Sequence, residues 1–438
     1  MLERLFKRPA AVARRAAGVL GPYVDSFLVA AAELGYTTST MRTQLCVLGD
    51  LERWLQRKHL VLAALAEPLL RQFLEQQRRH GRLRRGDSRT VQRLLEHLRA
   101  KGVVPSPQPT VDQSPLATLE QQYRDYLGKE RGLSPGTSAR YWGFVRQFLG
   151  KRFGRRPVCL RKLVAEDVSN FVVRHGRSGS PKVTQLMVTA LRSFCRFLFQ
   201  VGVTKRDLAG VLPSVESWRL AEVPRYLEPQ EVERVLQACD RETAVGRRDY
   251  AILLLIVRLG LRASEVITLE LGDIDWRAGV LMVRGKGRYH DQLPLPSDVG
   301  EAFATYLRQD RPSCSTRRIF IRSRAPHRGF AHPSSLSTVV CRAVQRAGLQ
   351  PKHKGAHLLR HSLATGMLRR GASLAEIGQI LRHRLPNTTE IYAKVDLQGL
   401  RSLARLLNAD LAGAIFAGSE GPRLRRGWFG ARRFGIVD

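Results

Sequence analysis

Six residues of this chain have the types and spacing that phosphodiester chemistry asks for. Arg262 lies in Leu259-Gly260-Leu261-Arg262-Ala263-Ser264-Glu265, and Lys286 in Arg284-Gly285-Lys286-Gly287. His357 and Arg360 share the run His357-Leu358-Leu359-Arg360-His361. His383 ends Leu381-Arg382-His383, and Tyr392 ends Thr388-Thr389-Glu390-Ile391-Tyr392. A phenol that attacks phosphorus without a metal must lose its proton, have the pentavalent phosphorane neutralised, and see the leaving 5′-oxygen protonated. Arginine suits the neutralising task because its fork donates two parallel hydrogen bonds and keeps its charge; Arg262 and Arg360 are the candidates. His357 suits a general base or a donor to the phosphate, and His383 a second imidazole beside it. Lys286, a long ammonium in a glycine-rich turn, can reach the leaving oxygen as general acid.

Tyr392 is the candidate nucleophile. A free phenol ionises near pH 10, so neighbouring cations must help form the phenolate. Attack leaves a phosphotyrosyl link and a free hydroxyl, and the hydroxyl of a second strand reverses the step. The bond energy is kept, so the scheme calls for no metal, no ATP and no other cofactor. Glu265 stands three residues after Arg262, where a carboxylate can orient the guanidinium; a helix cap or a surface glutamate fits the same spacing. His353, His357 and His361 recur every four residues, a spacing that can hold a metal on a helix. No glutamate follows as in HExxH and no cysteine cluster is near, so the reading assigns no metal and takes His353 and His361 as structural.

The composition points to a polyanionic partner. Against 38 Asp+Glu stand 73 Lys+Arg, a formal net charge of +35. Such an excess strains the compact state and favours phosphate-bearing ligands. It is spread along the chain, so several surfaces are expected to meet phosphates, although charge does not separate DNA from RNA. No basic amphipathic helix or lipidation signal accompanies it, and the longest apolar run, Ala251 to Val257, is cut by Arg258, so no membrane role is expected. The six cysteines are scattered with no CxxC pair, as in a reduced protein of the cytoplasm.

At 438 residues two or three domains are expected. A basic segment (1–17) precedes a helical region (18–104), a Pro-rich linker (105–116) and a second helical region (117–216). A weaker boundary (217–226) leads to an α-rich region (227–410) and a Gly/Arg-rich tail (411–438). The two helical regions echo each other. Gly35 in Leu34-Gly35-Tyr36-Thr37 aligns with Gly132 in Arg131-Gly132-Leu133-Ser134, and Ala66-Glu67 with Ala165-Glu166. Each reads as a helical hairpin followed by two further helices, with Ser134 as an N-cap and Pro135 at the first helical position. After Leu227, Pro229 opens a helix and Arg247–Leu259 is a strongly apolar one. Gly279–Leu295 alternates as a β-hairpin, and helices are expected from there to the end.

The six positions, in this order, resemble the tyrosine recombinase (phage integrase) family, with the likeness spanning about residues 118–400. The resemblance implies a mainly α fold: helical SAM-like core-binding modules followed by an α-rich catalytic domain with a small antiparallel β-sheet. It also implies site-specific strand exchange on double-stranded DNA, by a homotetrameric synapse that can include related recombinases, at the nucleoid. The extra N-terminal region favours a mobile-element enzyme. Lys286 would be the family's hairpin lysine. Two departures stand out: Arg382 occupies the place where the family usually has glycine, and Tyr289 and Asp291 fall where further basic residues often follow the lysine. Rival readings are a type IB topoisomerase, against which the Thr-Thr-x-x-Tyr box and core-binding module speak, and a DNA-binding protein of this fold without activity.

Overall fold

In the computed structural model the described residues are 1–6, 10, 12–13, 17–106, 114–154, 156–176, 180–214, 224–285, 290–352 and 354–395. They fall into two compact units, Met1–His97 together with Val223–Asp438, and Leu98–Glu222. Lys286, Tyr289, His353 and everything after residue 395 lie outside the described residues, as do most of the Pro-rich linker and of the 217–226 boundary.

Helices α1 (Gly21–Glu33), α2 (Thr38–Arg57), α3 (Glu67–Arg79) and α4 (Asp87–Ala100) follow a one-turn helix at Leu2–Leu5. Helices α5 (Pro115–Asp125), α6 (Pro135–Phe153), α7 (Ala165–Gly176) and α8 (Pro181–Gln200) repeat that order, and in both sets a 3-10 turn precedes the third helix. The starts of α2 and α6 are built alike. Thr37 accepts from the Thr40 N–H and Ser134 from the Thr137 N–H, both at 3.3 Å, each satisfying one of the donors that a helix start leaves over. The smaller unit closes on an aromatic core of Tyr123, Trp142, Phe148, Phe171, Phe194 and Phe197. There the buried Tyr123 hydroxyl donates to the Ala190 carbonyl.

The C-terminal half of the larger unit begins with α9 (Pro229–Gln237), whose Glu231 side chain caps the Glu228 N–H. Helix α10 (Ala244–Leu259) is apolar on every side over Ala251 to Ile256, all fully buried. Each such leucine or isoleucine contributes about 2 kcal/mol by leaving water, which makes α10 the axis on which α12 (Ser297–Gln309) and α14 (Ala356–Arg369) pack. Helix α11 (Ala263–Thr268) follows, then an antiparallel sheet β1 (Ile274–Asp275), β2 (Val280–Arg284) and β3 (His290–Pro294), in that order. Leu281 pairs with Leu293, and Val283 with Asp291. Leu281 and Val283 face the core, as period-two alternation requires.

Helices do not run unbroken from there to the end. Between α12 and α13 (Ser334–Arg346) the chain from Asp310 to Pro333 is irregular. Pro312, Pro326 and Pro333 lack the N–H that a helix interior needs, and isolated bridges (Glu270 with Arg318, Ile321 with Gly329) tie the segment down instead. Helices α14 and α15 (Leu374–Ile380) are followed by 3-10 turns at Pro386–Thr388 and Glu390–Val395. No helix among the described residues is long and apolar enough to cross a membrane.

Candidate active site

The site begins where α10 stops. Gly260 ends that helix in the left-handed region (φ +59°), which costs any residue with a Cβ about 1–2 kcal/mol. There is also no room for one: a Cβ on Gly260 would come within 2.6 Å of the Leu381 side chain. This close approach brings the end of α10 to the turn after α15, and Arg360 binds the two together. Its guanidinium donates to the carbonyls of Gly260 and Leu381. The residue is 4% exposed. Burial, together with the charge of Arg262, pushes Arg360 down to about 10, which leaves it cationic at neutral pH.

Arg262 is held differently. It stands at the N-cap of α11, and the Glu265 carboxylate accepts both its backbone N–H (2.8 Å) and its Nη1 (2.7 Å). A second nitrogen donates to the Arg382 carbonyl at 3.2 Å. Burial pushes the Glu265 carboxyl up, but the Arg262 N–H, the Arg382 charge and the Arg262 guanidinium outweigh it and hold Glu265 below its ordinary value. Glu265 is thus both the helix cap and the partner of the guanidinium, two readings that the sequence offers as alternatives.

The histidines line the same place. His357 and His361, one turn apart on α14, have ring centroids 6.3 Å apart. Burial, then Arg360 and Arg262, lowers the His357 imidazole below its usual range. His383 follows the Arg382 turn; its Nδ1 lies 2.8 Å from Oγ1 of the buried Thr389, and its backbone N–H donates to the Gly378 carbonyl. Burial, then Arg360 and Arg262, pushes it down to about 4.

Tyr392 is 1% exposed and packs among Ala364, Ile377, Leu381 and Val395. Its hydroxyl lies 2.8 Å from Nδ1 of His361, and the two rings meet edge to face. Burial raises the phenol to about 12, although Arg360 and Arg262 pull against it. Burial, followed by His357 and Arg360, drives His361 down to about 4, so its imidazole is neutral at pH 7.

Arg262, Glu265, His357, Arg360, His383 and Tyr392 therefore gather in one place, while Lys286 lies outside the described residues. His361 joins them, although the sequence reading gives it only a structural part. The signal was present: His361 lies on the same face of a helix as His357, one turn on. What the spacing alone could not supply was the partner, 31 positions further along the chain.

Comparison with known proteins gives the family. Residues 225–398 match the phage integrase family, and residues 121–202 match the N-terminal SAM-like domain of phage integrases. The protein y4rA of Sinorhizobium fredii, named as an integrase/recombinase, is 42% identical over 398 residues, 90% of this chain and 96% of that protein. This chain belongs to the phage integrase, or tyrosine recombinase, family. Tyrosine recombinase XerC of Oceanobacillus iheyensis is 30% identical over 284 residues, 63% of this chain and 91% of its own. Among solved structures, the XerH site-specific recombinase bound to its difH substrate shares the fold. Its TM-score is 0.53 at 17% identity, covering 69% of this chain and 98% of XerH. The family's mainly α architecture with a small antiparallel sheet is the one seen here.

Proposed function

We propose that this tyrosine recombinase performs site-specific exchange of DNA strands through a 3′-phosphotyrosyl intermediate, with neither metal nor ATP. The observation that carries the reading is the placement of one phenol, Tyr392, on a neutral imidazole, His361, within reach of the charges of Arg262 and Arg360. Each guanidinium has five donors, more than the two carbonyls that position Arg360 take up, so both arginines can also bind the non-bridging oxygens of a scissile phosphate. His357 and His383 add imidazoles beside that phosphate.

In the proposed step the Tyr392 oxygen bonds to phosphorus, its proton passes to His361, and the bond from phosphorus to the 5′-oxygen breaks. Lys286 protonates the departing oxygen. The 5′-hydroxyl of a second strand then attacks phosphorus, its proton returning to Lys286, and the tyrosine leaves with the proton that His361 gives back. Tyr392 is buried, so once its proton is on His361 the Glu390–Val395 turn has to open for its oxygen to reach the phosphate. The relatives named XerC and XerD, and the DNA-bound recombinase structures, support DNA as the substrate. The matching element order of residues 18–104 and 117–216 supports a second SAM-like module. On this reading the protein works in the cytoplasm at the nucleoid, as a tetramer of four protomers on two duplexes.

The test is a nicked duplex spanning an end of the host element, incubated with the protein in EDTA without ATP. A covalent adduct on a denaturing gel is expected, and none with Tyr392→Phe. Tight binding of the duplex with no adduct from the unaltered protein would turn the reading to a DNA-binding protein that does not cleave.

A further inference from the structure

Arg382 carries more structure than a residue beside the site needs. It sits at φ +54° in the left-handed region, where a side chain with a Cβ is strained and glycine is not. Something must hold it there, and the contacts of its side chain show what. The guanidinium turns inward and is 8% exposed. One terminal nitrogen donates to Glu265 Oε2 at 2.8 Å, the carboxylate whose other oxygen takes Arg262. The other terminal nitrogen faces the carbonyls of Ile380 (3.2 Å) and Leu259 (3.4 Å). Its own carbonyl accepts from Arg262. One carboxylate thus joins two arginines that are 120 positions apart in the chain, and the second of them is the residue before His383.

One donor is left over. Arg382 Nε is buried and has no hydrogen-bond partner. The Asp291 carboxylate of β3 stands 3.9 Å from it, half in solvent. A buried N–H without an acceptor is costly, so an approach of less than 1 Å by this carboxylate is favourable. Asp291 lies in β3, across from Val283 of β2. Arg382 and Asp291 are also two of the positions at which the sequence departs from the family pattern, and here they face each other.

We propose that Arg382 is a positioning residue for strand cleavage: through Glu265 it fixes Arg262, through its backbone it fixes His383, and by closing Asp291 onto its Nε it ties the β2–β3 hairpin to both. The inference rests on the recombinase reading of the site. A displacement of one catalytic group by about 1 Å can cost up to about 100-fold in rate, so the brace acts on the chemical step and not on DNA affinity.

The test uses the full chain in single-turnover cleavage of a nicked duplex at saturating protein, with the Kd for the same duplex measured in parallel. Arg382→Gly removes the guanidinium and relieves the left-handed backbone, so it is expected to fold. Its cleavage rate should fall about tenfold or more while Kd changes less than about twofold. Arg382→Lys, which keeps one cation for Glu265, should recover part of that rate. Asp291→Asn should slow cleavage about threefold alone and not at all in the Arg382→Gly background, since the two act as a unit. Wild-type cleavage by Arg382→Gly would overturn the proposal. Equal slowing by Asp291→Asn in both backgrounds would overturn the hairpin link. An unaltered protein that forms no adduct would instead defeat the recombinase reading, and the brace with it.

Discussion

Arg262 and Arg360 are offered to the same reaction, yet the protein holds them in opposite ways. Arg360 is buried on a helix, and two backbone carbonyls, Gly260 and Leu381, position it; Arg262 is 35% exposed at a helix start and leans on a carboxylate. Carbonyl dipoles fix direction without cancelling charge, so Arg360 keeps its full field toward Tyr392 and His383, both of which register it. The carboxylate of Glu265 fixes Arg262 and also neutralises part of the charge in that corner, which lets a third arginine, Arg382, enter it. One arginine is therefore part of the fold as well as of the chemistry, and the other can be removed with less harm to the fold.

Substitution of the two arginines gives the sharpest test of that difference. Arg360→Ala should lower cleavage by at least about 1,000-fold, the loss expected when an oxyanion donor disappears. It should also cost about 2–4 kcal/mol of stability in urea unfolding, because two buried carbonyls lose their donor. Arg262→Ala should lower cleavage by about 100- to 1,000-fold but cost only about 1 kcal/mol, since it is partly exposed and Glu265 retains Arg382. Equal stability losses in the two variants would erase the contrast.

Glu265→Gln attacks the carboxylate side alone. Losing one partner of a buried ionic cluster should cost about 3 kcal/mol at pH 7. The pH dependence gives the sign: the folded carboxyl ionises below its unfolded value of about 4.5, so its stabilisation is present above that pH. It is lost as the pH falls through the lower, folded value. The gap between Glu265→Gln and the unaltered protein should thus narrow on acidification below about 4.5, and a gap that does not depend on pH would argue against an ionised Glu265.

The smallest effect belongs to the histidines. His361 and His383 stay neutral in the folded protein down to about pH 4, while an unfolded chain takes up protons near 6.5. The unfolded state binds more protons in that window, so stability should rise with pH between about 4 and 6.5 and fall on acidification. His361→Phe should flatten this slope. It should also cost about 1–2 kcal/mol at pH 7, because the buried Tyr392 hydroxyl loses its partner. An unchanged slope would place the titration elsewhere.

Much of this site could be read before the fold was known, because its residues sit in short windows whose meaning is local. Gly260-Leu261-Arg262 after an apolar run announces a helix end, and His357 three before Arg360 announces one helix face. The cap at Ser134 and the alternation of β2 were legible for the same reason. The part played by His361 was not, because a third histidine at helical spacing reads as a structural residue. Nor was the irregular stretch before α13 foreseen, although its prolines were in view.

The sequence by itself determined which groups were available and in what order: two arginines, their glutamate, the histidines and a tyrosine, each with its own local turn or helix. Only the tertiary structure decided which carbonyls Arg360 would seize, that His361 would hold the Tyr392 hydroxyl, and that Arg382 would fold inward onto Glu265. The reason is physical. Caps and periodicity are settled within a few residues by backbone geometry. Charge pairing and burial depend on contacts between segments 21 to 117 positions apart, which only the packed core brings together.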